Sequence, residues 1–219
     1  MESYYLYTIK FHLMPGKLVI IDLEMGNLNS VKKVMERINQ NVLVSCQAKD
    51  IKNADKIILP GIGHFQKAME NIEKLQLSEP LNEAVMIKKK PILGICLGMQ
   101  LMAKSSTEGK SKGLGWMNGE VVKFNVSNPV KNKVPHMGWN QINQTRKSLL
   151  MKNIPDLSEF YFVHSYHWET NIKEDIINET EYDYIFPSAI ERENIFGVQY
   201  HPEKSHDAGE QLLKNFIDL

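Results

Sequence analysis

Two short stretches carry side chains that could do chemistry together. PILGICLGMQ, residues 91–100, sets Cys96 between Gly94 and Gly98 directly after an apolar run, and HPEK, residues 201–204, follows a second apolar run, IFGVQY. A cysteine flanked two residues away by glycine on both sides suits a sharp strand-to-helix turn, where larger neighbours would collide. Such an elbow puts the sulfur at a helix N-terminus, whose unpaired N–H groups and dipole favour thiolate over thiol. The alternative is a small, buried, apolar filler. A thiolate hydrolase needs a base, and the base needs a group that fixes its tautomer. Of the seven histidines, His201 stands at the end of a strand-like run, and in an extended His-Pro-Glu unit Glu203 points to the same side and can orient it. Alone, that triplet also describes a solvated surface pair; with the elbow it points to a Cys96, His201 and Glu203 triad. Gly61, Ile62 and Gly63 follow Pro60 after another apolar run, where backbone N–H groups can turn toward an anion and complete an oxyanion hole with the N–H of Leu97. An ordinary turn is the other reading of that loop. Cys46 has neither glycine nor elbow and reads as structural.

Bringing these groups together requires strands whose carboxyl ends converge. LVIID at 18–22 reads as a strand buried on both faces, followed by a helix capped by Asn29 or Ser30 and carrying Val31, Val34, Met35 and Ile38 on one side. Strands are expected at 42–45, in KIILPGIG, where Pro60 and Gly61 stop it, and in PILGI. Phe65, Met69, Ile72 and Leu75 mark another helix, and residues 81–89 a turn-rich helical segment. This alternation predicts an α/β fold: an open, mostly parallel central sheet with flanking helices, whose ligands sit beyond the strands' carboxyl ends. GEVVKFN, FYFVHSYHWE, YIFPSAIE and NIFGVQY predict antiparallel additions to that sheet in the C-terminal half, and Ala208, Leu212, Leu213 and Phe216 a closing helix. A single domain is expected over 18–219. Residues 1–17, with Tyr5, Tyr7, Ile9 and Phe11 alternating, read as an N-terminal extension or an over-long start.

Composition narrows the partners. Across 219 residues, 26 basic and 26 acidic side chains balance, and no basic block suggests a nucleic-acid or membrane surface. Two cysteines are too few for a disulfide framework and fit a reducing cytoplasm. No run is long enough to span a membrane, and the start lacks the pattern of a signal peptide. GLGWMNG at 113–119 fails the dinucleotide spacing, so no cofactor and no metal is expected.

The elbow GICLGMQ, the late HPE and the early PGIG occur in the order that resembles the class I, or triad, glutamine amidotransferases. MGNLNSV, LPGIGHF, VPHMGWN, YFVHSY and GVQYHPEKS are most similar to the glutaminase subunits of imidazole glycerol phosphate synthase. The resemblance runs from about residue 18 to the C-terminus. It implies that Cys96 attacks the side-chain amide of L-glutamine, that His201 takes and returns the proton, and that Glu203 holds His201. A thioester forms, water releases glutamate, and ammonia passes to a (β/α)8-barrel cyclase partner of a heterodimer in histidine biosynthesis. It further implies a glutamine pocket of Gly61, Gly63, Gln100 and the backbone of His164, Ser165 and Tyr166. By pattern alone, His164 and Tyr166 are packed strand residues. Asn27, Met137 and Trp139 match partner-surface positions, although a tryptophan there also reads as core. Leu23-Glu24, His64 and the pair His167-Trp168 depart from the usual pattern. They leave open a paralogue that supplies ammonia for amidino sugars of surface polysaccharides, and assign no catalytic role to His64 or His167. A stand-alone γ-glutamyl thiol hydrolase, with a similar fold and triad, is the remaining reading.

Overall fold

Continuous apolar runs in the first half become strands buried on both faces. In chain order the computed structural model, which describes residues 17–26, 28–38 and 40–219, starts with β1 (Leu18–Ile21), α1 (Leu28–Arg37), β2 (Val42–Ser45), α2 (Ala48–Lys52) and β3 (Lys56–Gly61). Next come α3 (Phe65–Lys74), α4 (Ser78–Asn82) with a π-helical turn at Glu83–Ile87, β4 (Ile92–Cys96) and α5 (Leu97–Leu101). The second half holds β5 (Ser105–Ser106), β6 (Ser111–Lys112), β7 (Glu120–Lys123), β8 (His136–Gln141), β9 (Asn143–Gln144), β10 (Glu159–His164) and β11 (Tyr166–Glu169). It closes with β12 (Ile176–Tyr182), β13 (Tyr184–Arg192), β14 (Ile195–Val198) and α6 (His206–Asp218).

Eight strands form the central sheet in the order β2-β1-β3-β4-β14-β13-β12-β9. The first five are mutually parallel and the last three antiparallel, as an α/β sheet with antiparallel additions. Side chains alternate between two apolar layers: Val19, Ile21, Ile57, Leu59 and Ile92 face one, Leu18, Ile20, Ile58, Leu93 and Ile95 the other. That period of two explains why these strands read as unbroken apolar runs, since neither face meets water.

Several local expectations are corrected. α1 begins at Leu28, so Asn29 and Ser30 lie in its first turn rather than capping it. β3 runs through Pro60 and Gly61 instead of stopping before them. Its β1 side is paired only as far as Ile58, which leaves room for a residue without an N–H. NIFGVQY yields β14, which is parallel to β4, not antiparallel. FYFVHSYHWE breaks at Ser165 into β10 and β11, which leave the central sheet altogether. β10 pairs with β8, and β11 with β7, β5 and β6 form a separate four-stranded sheet. The expected alternating segment of residues 1–16 lies outside the described residues. Lys17 is tied into the fold by its N–H to the Asp55 carboxylate at 2.6 Å and by an ion pair with Asp50 at 3.1 Å.

Candidate active site

β4 ends at Cys96 and α5 starts at the next residue, so the chain reverses within one peptide unit. Cys96 takes φ +54° and ψ −110°, a conformation costing a non-glycine residue about 1–3 kcal/mol. The two glycines make it attainable. A Cβ on Gly98 would stand 1.7 Å from the Leu59 carbonyl oxygen, and one on Gly94 2.6 Å from the Met99 nitrogen. The sulfur is 6% exposed and faces polar groups: Gln199 Nε2 donates to it at 3.6 Å, and the Val163 carbonyl oxygen lies at 4.0 Å.

β14 lies beside β4 with Val198 opposite Ile95, so the residues just past each strand share one end of the sheet. His201 is there, 1% exposed, and its Nδ1 is 2.8 Å from Glu203 Oε1. Pro202 between them opens a short 3-10 turn rather than an extended unit, and that turn brings the carboxylate onto the ring. The other ring nitrogen, Nε2, is buried as well. Burial alone would lower the His201 pKa. The Cys96 thiolate, by charge and as a hydrogen-bond partner, and then the Glu203 carboxylate outweigh it and raise His201 to about 10. The ring is thereby favoured in its charged form, between the Cys96 sulfur and the Glu203 side chain.

The sulfur opens onto a cleft of about 430 Å³. Ile62, Gly63, Leu97, Gln100, His164, Ser165 and Tyr166, all singled out in the sequence, line it beside Cys96. Gly61 lies behind the cleft as the sheet partner of Cys96, where its missing side chain makes room for Leu97. His164 and Tyr166 are not simply packed strand residues. They flank the break at Ser165, and His164 Nδ1 donates to the Tyr166 carbonyl at 2.8 Å. Burial first, then the charge of His136, hold His164 well below the ordinary histidine range. Met137 and Trp139 are 61% and 45% exposed on one face of β8, so Trp139 is no core aromatic. Asn27 lies outside the described residues. His64 is exposed before α3, and His167 is packed, its ring bonded to the Trp168 carbonyl and the Tyr184 hydroxyl at 3.0 and 2.9 Å. Cys46 is half-buried and lies outside the cleft.

Four cleft residues escaped the sequence: Glu108, Pro135, Val163 and Lys204. Glu108 accepts the Phe65 N–H at 2.7 Å, satisfying the N-terminus of α3, and brings a negative charge to the cleft wall. Lys204 sits beside Glu203 with its ammonium 5.5 Å from the Tyr161 ring centre. The spacing from HPE pointed as far as Glu203 and no farther. Among the described residues no group of three or more His, Cys, Asp or Glu could hold a metal ion, and no helix is long and apolar enough to cross a membrane.

Comparison with known proteins places the chain as a whole. The model of the family described as "Glutamine amidotransferase class-I" matches residues 19–219. The chain is 46% identical over 200 residues to imidazole glycerol phosphate synthase subunit HisH 2 of Methanococcus maripaludis, covering 91% of this chain and 98% of that protein. It is 42% identical over 202 residues to subunit HisH 2 of Pseudomonas aeruginosa, covering 92% and 99%. A putative GMP synthase component from Thermoplasma acidophilum shares the fold at TM-score 0.71 and 17% identity, covering 94% of each chain. A glutamine amidotransferase from Thermotoga maritima does so at TM-score 0.64 and 15% identity, covering 94% of this chain and 84% of that one. The chain belongs to the class-I glutamine amidotransferases and, within them, to the HisH family of imidazole glycerol phosphate synthase subunits.

Proposed function

We propose that the chain hydrolyses L-glutamine to glutamate and ammonia as the glutaminase subunit of an imidazole glycerol phosphate synthase, working in the cytoplasm. The observation that carries the reading is Cys96, set on the strand-to-helix turn and opening onto a cleft of amino-acid size, with His201 braced by Glu203 just past the neighbouring strand. The thiolate attacks the side-chain amide, and the developing oxyanion is received by the N–H of Leu97 and by the Gly61–Ile62–Gly63 loop once its amides face the cleft. His201 gives its Nε2 proton to the leaving nitrogen and then takes one from the attacking water, while Glu203 keeps the tautomer fixed. Gln100 and the backbone at 164–166 grip the substrate's amino-acid end, with the Glu108 carboxylate suited to its ammonium group.

Ammonia released into water would be protonated and lost, so a second active site must stand at the mouth. A (β/α)8-barrel cyclase docked over Met137 and Trp139 fits that need. Cys96→Ala, assayed with the cyclase, should lose glutamine-dependent turnover by about 10⁴-fold or more while added ammonium still supports the product. Loss of both activities would refute the reading.

One observation favours a second acceptor. Methanococcus maripaludis has subunits named HisH 1 and HisH 2, and this chain is 41% identical to the first and 46% to the second. A paralogue that feeds ammonia to an amidino-sugar enzyme would give no product with the histidine-pathway cyclase, yet would still cleave glutamine beside its own partner.

A further inference from the structure

Gln199 is wholly buried just after β14. A buried amide is tolerated only when its donors and acceptor are used. Gln199 Oε1 accepts from Gln100 Nε2 at 2.9 Å, and Gln199 Nε2 donates to the Cys96 sulfur at 3.6 Å. Gln100 Nε2 also donates to the Tyr166 carbonyl at 2.9 Å, the oxygen that receives the His164 Nδ1 proton.

The order of donors along this chain is forced. Oxygen and nitrogen of an amide look alike, so the assignment must come from the partners. The Tyr166 carbonyl offers only lone pairs, so Gln100 must turn its NH2 toward it. That same NH2 reaches Gln199, which must answer with oxygen. The NH2 of Gln199 is then left facing sulfur. Rotating either amide would set donor against donor or acceptor against acceptor inside a dry core.

We propose that Gln199 is a further catalytic residue, a fixed amide donor to the Cys96 sulfur that holds the nucleophile as thiolate and aims it into the cleft. This rests on the glutaminase reading of the site. The donor forms and breaks no covalent bond: it stays on the sulfur through attack and again favours the sulfur as leaving group when water cleaves the thioester. A hydrogen bond to a charged acceptor is worth about tenfold in the thiolate population. The same bond makes the thiolate less nucleophilic, by about threefold for a tenfold change in basicity. Population therefore wins below the midpoint of the thiol's ionisation, and the balance reverses once ionisation is complete.

Iodoacetamide alkylation of Cys96 over a pH series reads both effects and needs neither glutamine nor partner. It is best done in a Cys46→Ser background. Gln199→Met, which keeps length and removes the donor, should move the midpoint of the rate profile up by about one pH unit and raise the alkaline plateau about threefold. Gln100→Met frees the Gln199 amide to turn and should shift the profile the same way by less. The titratable groups around the sulfur are His201 with Glu203 behind it, and His164, Tyr166, Glu108 and Lys204 along the cleft; both variants keep all of them, and Gln199→Met also keeps the Gln100 amide on the carbonyl that His164 shares. Profiles that coincide with the parent for both folded variants overturn the proposal. So does a uniform change of rate at every pH, which loosened packing would give. If the parent profile is normal but the parent protein cleaves no glutamine with its cyclase, the glutaminase reading fails instead.

Discussion

His201 is a buried ring whose charged form is made tenable by its neighbours, the Cys96 sulfur foremost among them. His201 is raised to about 10 against the pull of burial, chiefly by the thiolate. Without the sulfur, burial regains influence. We predict that Cys96→Ala brings the His201 titration down by at least one unit, measured by NMR of ring-labelled histidine; an unmoved titration would show that the sulfur does not set it. The sign follows for stability: a raised histidine stabilises below its unfolded value of about 6.5 and loses that contribution as pH climbs through about 10. Glu203→Gln should leave folding intact and cut glutamine turnover by about 10³- to 10⁴-fold, because the ring is then free to take the wrong tautomer. The elbow at Cys96 and the pairing of His201 with Glu203 were legible in the sequence because glycine spacing and the His-Pro-Glu unit are local. Glu108 and Gln199 were not: one glutamate in a polar loop and one glutamine after a strand acquire meaning only through Phe65, Gln100 and Cys96, all brought to them by the fold.

At the scale of elements, the elbow and the break at Ser165 carry the site. Gly98→Ala would place a methyl group 1.7 Å from a backbone oxygen that cannot retreat without disrupting β3. We expect a loss of more than about 3 kcal/mol in urea unfolding, or no folded protein. Gly115→Ala, at φ +68° with nothing within 4 Å, is the control and should cost about 1–2 kcal/mol from backbone strain alone. The β8–β10 pair is held by two neutral histidines, His136 Nδ1 lying 3.1 Å from His164 Nε2. Since His164 donates through Nδ1 to Tyr166, its Nε2 must accept from His136, and a second proton would put donor against donor. Burial lowers His136 from 6.5 to about 4. Stability should therefore fall as pH drops from about 6.5 to about 4, by about 3 kcal/mol for this group; a flat urea midpoint over that range would refute it. The parallel strands were legible because burial on both faces leaves an unbroken apolar run. The allocation of second-half strands to three sheets was not. Residues 160–169 read as one strand-like run, and the break at Ser165, bridged by the His164 to Tyr166 bond, shows only in three dimensions.

At the scale of the whole molecule, exposed apolar side chains stand on the surface near the cleft. Ile62, Met137 and Trp139 are 38%, 61% and 45% exposed, an arrangement that suits docking better than solvation. Trp139→Ala should shift the melting midpoint by no more than about 2 °C and weaken cyclase binding at least about tenfold by calorimetry. Unchanged binding would move the partner surface elsewhere. Of the three tryptophans, Trp116 and Trp168 are sealed in at 4% and 1% exposure. Trp139 instead stacks on the His206 ring, centroids 5.0 Å apart and planes 6° from parallel. Ultraviolet emission from this side chain will therefore be water-reddened and dimmed by its imidazole neighbour, and a protein seated on it must turn that light bluer, giving association a label-free optical signal.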